Sequence, residues 1–347
     1  MKLKLTPVIP NPDNMASPLW DNSNRIAKIL YRIKPYRKIS WHALKKGVPL
    51  IEIARTQFPY ILPNASRPSA ICVEFTNSCN IKCVYCNNPK IVRSRGFMSA
   101  ETFSRLIQNI REMKISRVIV SGGEPTLHPK FASFTSELAK SAKFLSIVTC
   151  GQWTRKEIAY EMLEAPFDLI EISVDAGGKQ NYEKSRKGAS YKKLFNNLKL
   201  LKKAKKELRA SSIINIRLML RPSQKPIEKH QIKYWSQFSD IIMPQYIVKV
   251  DYVDYHEDIY LPVQHKTQAY PKCSIPFKEI TVQWNGEIPL CGPSGNQIDL
   301  SHRLIIDNIN ESSISDIWDG KVFQQYRKGH RNRELDKIQV CRGCMGH

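Results

Sequence analysis

The sequence contains no run of about eighteen consecutive apolar residues, which excludes a membrane-spanning helix of the usual length. Its first residues, MKLKLTPVIPNPDN, hold no apolar core of signal-peptide length and no small-residue cleavage site, so a cytoplasmic location is expected. Cysteine occurs in an odd number, nine, so a paired disulfide framework is not expected; thiols in such a chain point to metal or redox chemistry. Acidic side chains are scarce: 31 Asp and Glu stand against 54 Lys and Arg, a formal net charge of +23. A basic surface attracts nucleic acid, anionic head groups or anionic substrates. No RRM, KH or zinc-finger pattern is present and aromatics do not alternate with the basic runs, so nucleic acid is not expected as a partner. A basic nucleic-acid-binding protein with structural metal clusters is therefore a rival reading, not the first one. Much of the charge (Lys192, Lys193, Lys199, Lys202, Lys203, Lys205 and Lys206) lies opposite an apolar helical stripe of Leu194, Phe195, Leu198 and Leu201, as on a solvated outer face.

At 347 residues the chain has room for a barrel-sized core and a smaller appendage. Three regions are expected. Residues 1–66 form a basic helical extension with apolar residues at Ile26, Ile29, Leu30 and Ile33, broken by Pro35 and Pro49. Its short apolar stripe favours packing on the next domain, with peripheral membrane contact as the alternative. Residues 67–260 alternate strands and helices: AICVEFTN, RVIVSGGEP, FLSIVTC, DLIEISVD, SIINIRLML and IIMPQYIVKVD are the strands. Ser99 caps a predicted helix with Phe103, Leu106, Ile107, Ile110 and Met113 on one face. Six such units imply an α/β fold with parallel strands, an incomplete (β/α)6 TIM-like barrel whose chemistry sits at the C-terminal ends of its strands. Residues 261–347 lose the rhythm; CSIPFKEITVQWNGEIPLC reads as a hairpin with WNGE as its turn.

Cys79, Cys83 and Cys86 are spaced C-x3-C-x2-C in the loop after the first strand. Zinc sites close with four ligands, and the only other cysteine nearby, Cys72, sits inside the strand. Soft thiolates suit an iron–sulfur cluster, and three of them leave one iron open for another ligand. With Tyr85 before the last cysteine, the glycine turn Gly122-Gly123-Glu124, Ser173 in ISVDA and Arg186 in EKSRKG, the sequence resembles the radical SAM family over roughly residues 69–260. The resemblance implies a [4Fe–4S] cluster on the three cysteines that binds S-adenosylmethionine. It places Tyr85 near the adenine, the GGE turn and its carboxylate at the methionine ammonium, and Ser173 and Arg186 at the methionine carboxylate or ribose. One position departs: Thr149-Cys150-Gly151 stands where relatives often have Thr-Asn-Gly.

Cys273, Cys291, Cys341 and Cys344 form a second set of four, which by spacing alone suits zinc as well as a cluster. Their surroundings, GEIPLC, IDNINESSISDIW and CRGC, resemble the SPASM/twitch extension of radical SAM enzymes, which implies a small C-terminal domain with one auxiliary [4Fe–4S] cluster acting as an electron carrier. Strand alternation directs Glu171, Ser173, Asp175, Asn215, Arg217, Met219 and Arg221 into the barrel. Arg217 and Asp175 are candidate catalytic residues, with a structural salt bridge as the alternative for Arg217. Cys72 beside Glu74 reads as a packed thiol, and His128 as a turn-shaping residue. The acids, tyrosines and His256 of residues 248–260 read as a connector at the barrel mouth. The resulting expectation is an oxidoreductase that splits S-adenosylmethionine and abstracts hydrogen from an unactivated C–H bond. Its partners would be an external one-electron reductant of flavodoxin or ferredoxin type and a sugar, aminocyclitol or peptide substrate, anionic if the arginines face it. An epimerase using Cys150 as hydrogen-atom donor is the alternative within the class.

Overall fold

The computed structural model describes residues 38–57, 66–221, 229–246, 273–292 and 304–332, with single positions 334, 338 and 341. In chain order the strands are β1 (Ala70–Glu74), β2 (Lys82–Cys83), β3 (Arg117–Ser121), β4 (Phe144–Thr149), β5 (Leu169–Asp175), β6 (Arg186–Lys187), β7 (Ile213–Leu220), β8 (Ile241–Tyr246), β9 (Glu279–Val282), β10 (Glu287–Pro289) and β11 (Ile305–Asn308). Seven of them make one parallel sheet in the order β8-β7-β5-β4-β3-β1-β9. Helices Ala100–Glu112, Phe131–Ser141, Ile158–Glu164, Tyr191–Glu207 and Lys229–Trp235 link the successive strands from β1 to β8. This is the architecture of a partial TIM-like barrel.

Each element follows from its local chemistry. Helix Ala100–Glu112 starts where Ser99 Oγ accepts the Thr102 N–H at 3.1 Å, and it buries Phe103, Leu106, Ile107 and Ile110 against the sheet. The strands alternate: Ile71 and Val73 of β1, Val118 and Val120 of β3, Ile170, Ile172 and Val174 of β5, and Ile214, Ile216 and Leu218 of β7 join the apolar core. The intervening positions, Cys72 and Glu74, Glu171, Ser173 and Asp175, and Asn215, Arg217 and Met219, fall on the other face. Every fully buried aliphatic side chain in that core contributes about 1.5–3 kcal/mol.

Two features differ from the sequence expectation. The sheet has seven strands, not six, because β9 pairs in parallel with β1, Ala70 opposite Glu279. The expected WNGE turn forms, with Gly286 N–H on Gln283 O at 2.9 Å, but its two arms serve different sheets: β9 joins the barrel and β10 pairs antiparallel with β11. Alternation in a four-residue arm does not encode its partner, which is why a simple hairpin was the natural reading.

Residues 38–45 are helical and, with Leu50–Gln57, sit under the N-terminal end of the barrel. Ala43 and Val48 pack on Phe144, Leu169 and Ile213, at the starts of β4, β5 and β7. His42 Nε2 and Lys46 Nζ both approach Asp168 Oδ1 at 3.1 Å, while Asp168 Oδ2 accepts the Leu145 N–H at 2.9 Å. This part of the extension packs on the barrel; residues 1–37 lie outside the described residues. Among the described residues no helix is long and apolar enough to cross a membrane.

Candidate active site

The loop after β1 is held by its own side chains bonded to its backbone. Thr76 Oγ1 donates to Gly96 O at 2.6 Å, Asn77 Nδ2 to Ser94 O at 2.7 Å, and Gly96 N–H to Asn77 Oδ1 at 3.0 Å. The short β2–β6 pair sets Cys83 opposite Arg186, and Cys86 N–H donates to Cys83 O at 3.1 Å. Asn88 N–H reaches Cys86 Sγ at 3.4 Å and Arg186 Nη1 lies 3.9 Å from Cys83 Sγ, so two of the three sulfurs already face donors that favour a thiolate. Burial, the largest cause, with neighbouring acids and thiols pushes the Cys83 thiol up to about 12 against the pull of Arg186, and burial raises Cys86, whereas a hydrogen bond from Cys150 lowers Cys79. Among the described residues no three His, Cys, Asp or Glu side chains converge as the ligands of one metal ion. A four-iron cube spaces its thiolates more widely than a single ion does.

The glycine turn after β3 is fastened to this loop. Gly123 N–H donates to Thr76 O at 2.9 Å and Glu124 N–H to Ser78 O at 2.8 Å. A Cβ on Gly123 would stand 2.1 Å from Ser78 O, so only glycine permits the approach. Gly122 has φ +115°, a backbone that favours glycine. The Glu124 side chain is wholly buried and hydrogen-bonded at both oxygens. Its Oε1 accepts Thr126 Oγ1 at 2.7 Å and Thr149 Oγ1 at 2.8 Å, and its Oε2 accepts Cys150 N–H at 2.7 Å. The carboxylate thus ties the ends of β3 and β4 together.

At the end of β5, Asp175 Oδ1 accepts Arg186 Nε at 2.7 Å and Tyr85 OH at 2.6 Å. The guanidinium also lies 5.7 Å from the Tyr85 ring and 5.8 Å from that of Tyr182. Asp175 is therefore a partner of Arg186 and Tyr85, not an isolated acid. Two buried atoms of this group, Arg186 Nη2 and Asp175 Oδ2, have no partner among the described residues. Ser173 lies one step back on the same face of β5, opposite Arg217. Three thiols beside an open guanidinium N–H and an open carboxylate oxygen fit a cluster that binds an amino-acid nucleotide.

The barrel wall beyond is polar. Asn215 Nδ2 donates to Glu171 Oε2 at 2.9 Å, Arg217 Nε lies 3.8 Å from Glu171 Oε2, and Arg217 Nη2 donates to Gln245 Oε1 at 2.8 Å. Arg221 donates to Ser185 Oγ, which directs it to the helix Gly178–Ser185. Cys150 is buried; its thiol is free, donates a hydrogen bond toward Cys79 and lies 3.7 Å from Asn80 Oδ1. His128 shapes the turn, with Nε2 on Met98 O at 3.0 Å. Sequence reading missed Arg93, which pairs both its terminal nitrogens with Glu74; the inward position of Glu74 in β1 was the available signal that it wanted a cation. The run 248–260 with His256 lies outside the described residues.

In the C-terminal region Cys273, Cys291 and Cys341 all lie near enough to the buried Tyr326 to raise its pKa, and Cys341 Sγ lies 3.7 Å from His330 Nε2. Cys344 lies outside the described residues. Three buried or half-buried thiols near one aromatic fit a second cluster site.

Residues 73–229 match the Radical SAM superfamily and residues 273–345 an iron–sulfur cluster-binding domain, SPASM. The chain is similar to the PqqA peptide cyclase of Streptomyces rochei, 25% identical over 113 residues, 32% of this chain and 31% of that protein. It is also similar to a probable GTP 3',8-cyclase of Pyrococcus horikoshii, 28% identical over 111 residues, 32% and 36% of the two lengths. The chain spans about a third of the length of these curated relatives. Among solved structures it resembles native anSMEcpe with bound AdoMet and Cp18Cys peptide, with TM-score 0.57, 17% identity, and coverage of 80% of this chain and 88% of that one. The chain belongs to the radical SAM superfamily, with a C-terminal SPASM domain, and its cofactors are S-adenosylmethionine, the [4Fe–4S] cluster that binds it and an auxiliary iron–sulfur cluster.

Proposed function

We propose that this radical SAM enzyme abstracts a hydrogen atom from an unactivated C–H bond of a peptide or other polar substrate and passes one electron to its auxiliary cluster, a net two-electron oxidation. Bound at the two sites, the cofactors supply a 5′-deoxyadenosyl radical and an acceptor for that electron. Cys79, Cys83 and Cys86 hold the first cluster, and Cys273, Cys291, Cys341 and Cys344 the second. Tyr85 stands by the adenine, Arg186 and Ser173 take the methionine carboxylate or ribose, and Gly122 and Gly123 present turn backbone to the ammonium. Glu124 ties that turn to the end of β4 through Thr149 and Cys150 and keeps acceptor capacity on Oε2 for the ammonium. Asp175 holds Arg186 and Tyr85 in place.

The observation that carries this reading is the meeting of the cysteine loop, the GGE turn and the Arg186–Asp175 pair at the C-terminal ends of β1, β3 and β5. Glu171, Asn215, Arg217 and Gln245 give the lumen balanced donors and acceptors, which suits amide or hydroxyl groups. The names of the PqqA peptide cyclase and of the anSMEcpe complex with Cp18Cys peptide favour a peptide over a sugar or aminocyclitol. Arg217 already faces Glu171, so an anionic substrate is not required. The epimerase reading needs the Cys150 sulfur turned to the substrate, and its bonds to Cys79 and Asn80 argue against that.

The test is anaerobic reconstitution with iron and sulfide, followed by dithionite and S-adenosylmethionine. Formation of 5′-deoxyadenosine is expected; a fully loaded protein that forms none overturns the reading.

A further inference from the structure

A cavity of about 480 Å³ opens on the face of helix Lys321–Asn332 turned away from the second cysteine set. On one side of this helix Tyr326 and His330 face the cysteines. On the other, Arg327, Lys328 and Arg331 line the cavity together with Gln324, Asn332 and Ser66. Asp319 is the one acid among its described lining residues. Three cations against one carboxylate leave the cavity positive.

Arg327 makes this more than a basic surface. It is only 4% exposed, its Nε donates to Pro276 O at 2.9 Å, and its guanidinium lies over the Trp318 ring, 4.1 Å from the centroid. Its Nη2 has no partner among the described residues. A buried guanidinium with an open N–H is costly unless something completes its fork. Arg331 is fixed in turn 5.4 Å over Phe277. Held forks beside amide and hydroxyl donors match the geometry of an oxyanion.

We propose that this cavity binds a compact oxyanion-bearing molecule, of nucleotide size or smaller, through Arg327, Arg331 and Lys328, on the same helix that presents Tyr326 and His330 to the second cysteine set. The volume lies within the range of small-molecule sites. The site stands on this chain's own side chains and does not depend on the reaction at the barrel.

Equilibrium dialysis of the reconstituted full chain tests it, with inorganic pyrophosphate as the phosphate probe and citrate as the carboxylate probe, at about 0.15 M salt to suppress diffuse attraction. One saturable site per chain is expected for at least one probe, and the preferred probe names the oxyanion. The surface double variant Lys328→Gln/Arg331→Gln is expected to weaken it about tenfold or more, and Arg327→Lys, which keeps the charge but loses the fork, to weaken it as well. Absence of saturable binding for both probes overturns the proposal. So does binding of equal strength in a folded Lys328→Gln/Arg331→Gln protein with unchanged iron content.

Discussion

Arg186 and Asp175 form an ion pair almost wholly removed from water, 2% and 4% exposed, with Nε 2.7 Å from Oδ1. Such a pair stabilises little in itself, but breaking it strands a charge. Asp175→Ala is expected to cost about 3–5 kcal/mol in urea unfolding of the cofactor-free chain. The double variant Asp175→Ala/Arg186→Met, with no charge left to strand, should recover most of that loss. Equal loss in the single and double variants would show that the pair matters through packing and not through charge.

Gly123→Ala places a methyl against Ser78 O and Asn77 backbone, neither of which can yield without moving the cysteine loop. Its iron content after reconstitution should fall steeply. Gly178→Ala is the control: φ is +78° there, yet nothing lies within 4 Å of the added carbon, so about 1 kcal/mol of stability and no iron should be lost. Normal iron loading of Gly123→Ala would refute the coupling between turn and loop.

His128 gives a pH dependence. Lys130 N–H donates to its Nδ1 at 3.1 Å, so the ring proton sits on Nε2 and donates to Met98 O. Burial, with Lys130 nearby, holds its pKa below the ordinary value near 6.5. The unfolded chain therefore takes up a proton that the folded one refuses. This contribution to stability is complete above about pH 6.5 and is lost as the pH falls below it. The urea midpoint should drop between about pH 7.5 and 5.5, and by less in His128→Asn; an identical drop in both proteins would exclude the histidine as its source.

The two cysteine sets should separate chemically. Cys83→Ala is expected to lose about half the iron and all 5′-deoxyadenosine formation, and Cys291→Ala the other half while still cleaving S-adenosylmethionine. Iron analysis with electron paramagnetic resonance of the reduced proteins distinguishes them. A single cysteine change that empties both sites would mean that the clusters are not independent.

The parts legible in sequence were those written in local chemistry. Ser99 as a cap, the alternation of Ile214, Ile216 and Leu218, and the tight spacing of Cys79, Cys83 and Cys86 are all short-range signals. What escaped was written in pairings distant along the chain. The β1–β9 register joins residues some two hundred positions apart, and no pattern in either strand names the other. Likewise Glu124 reads in sequence as a carboxylate free for a ligand. Thr126, two residues on, is a local partner, but Thr149 and Cys150 are brought to it by the adjacency of β3 and β4.

β9 has a bearing on how this protein is made and cut. Because β1 lies at the margin of the N-terminal block and borrows its outer neighbour from near residue 280, a ribosome must deliver most of the polypeptide before that border is sealed. A fragment stopped at residue 260 would present Ala70–Val73 with bare amides and carbonyls, a template for sticking to its own copies. Excising the C-terminal iron domain would thus yield aggregates, and its apparent indispensability in such fragments would say nothing about electron transfer.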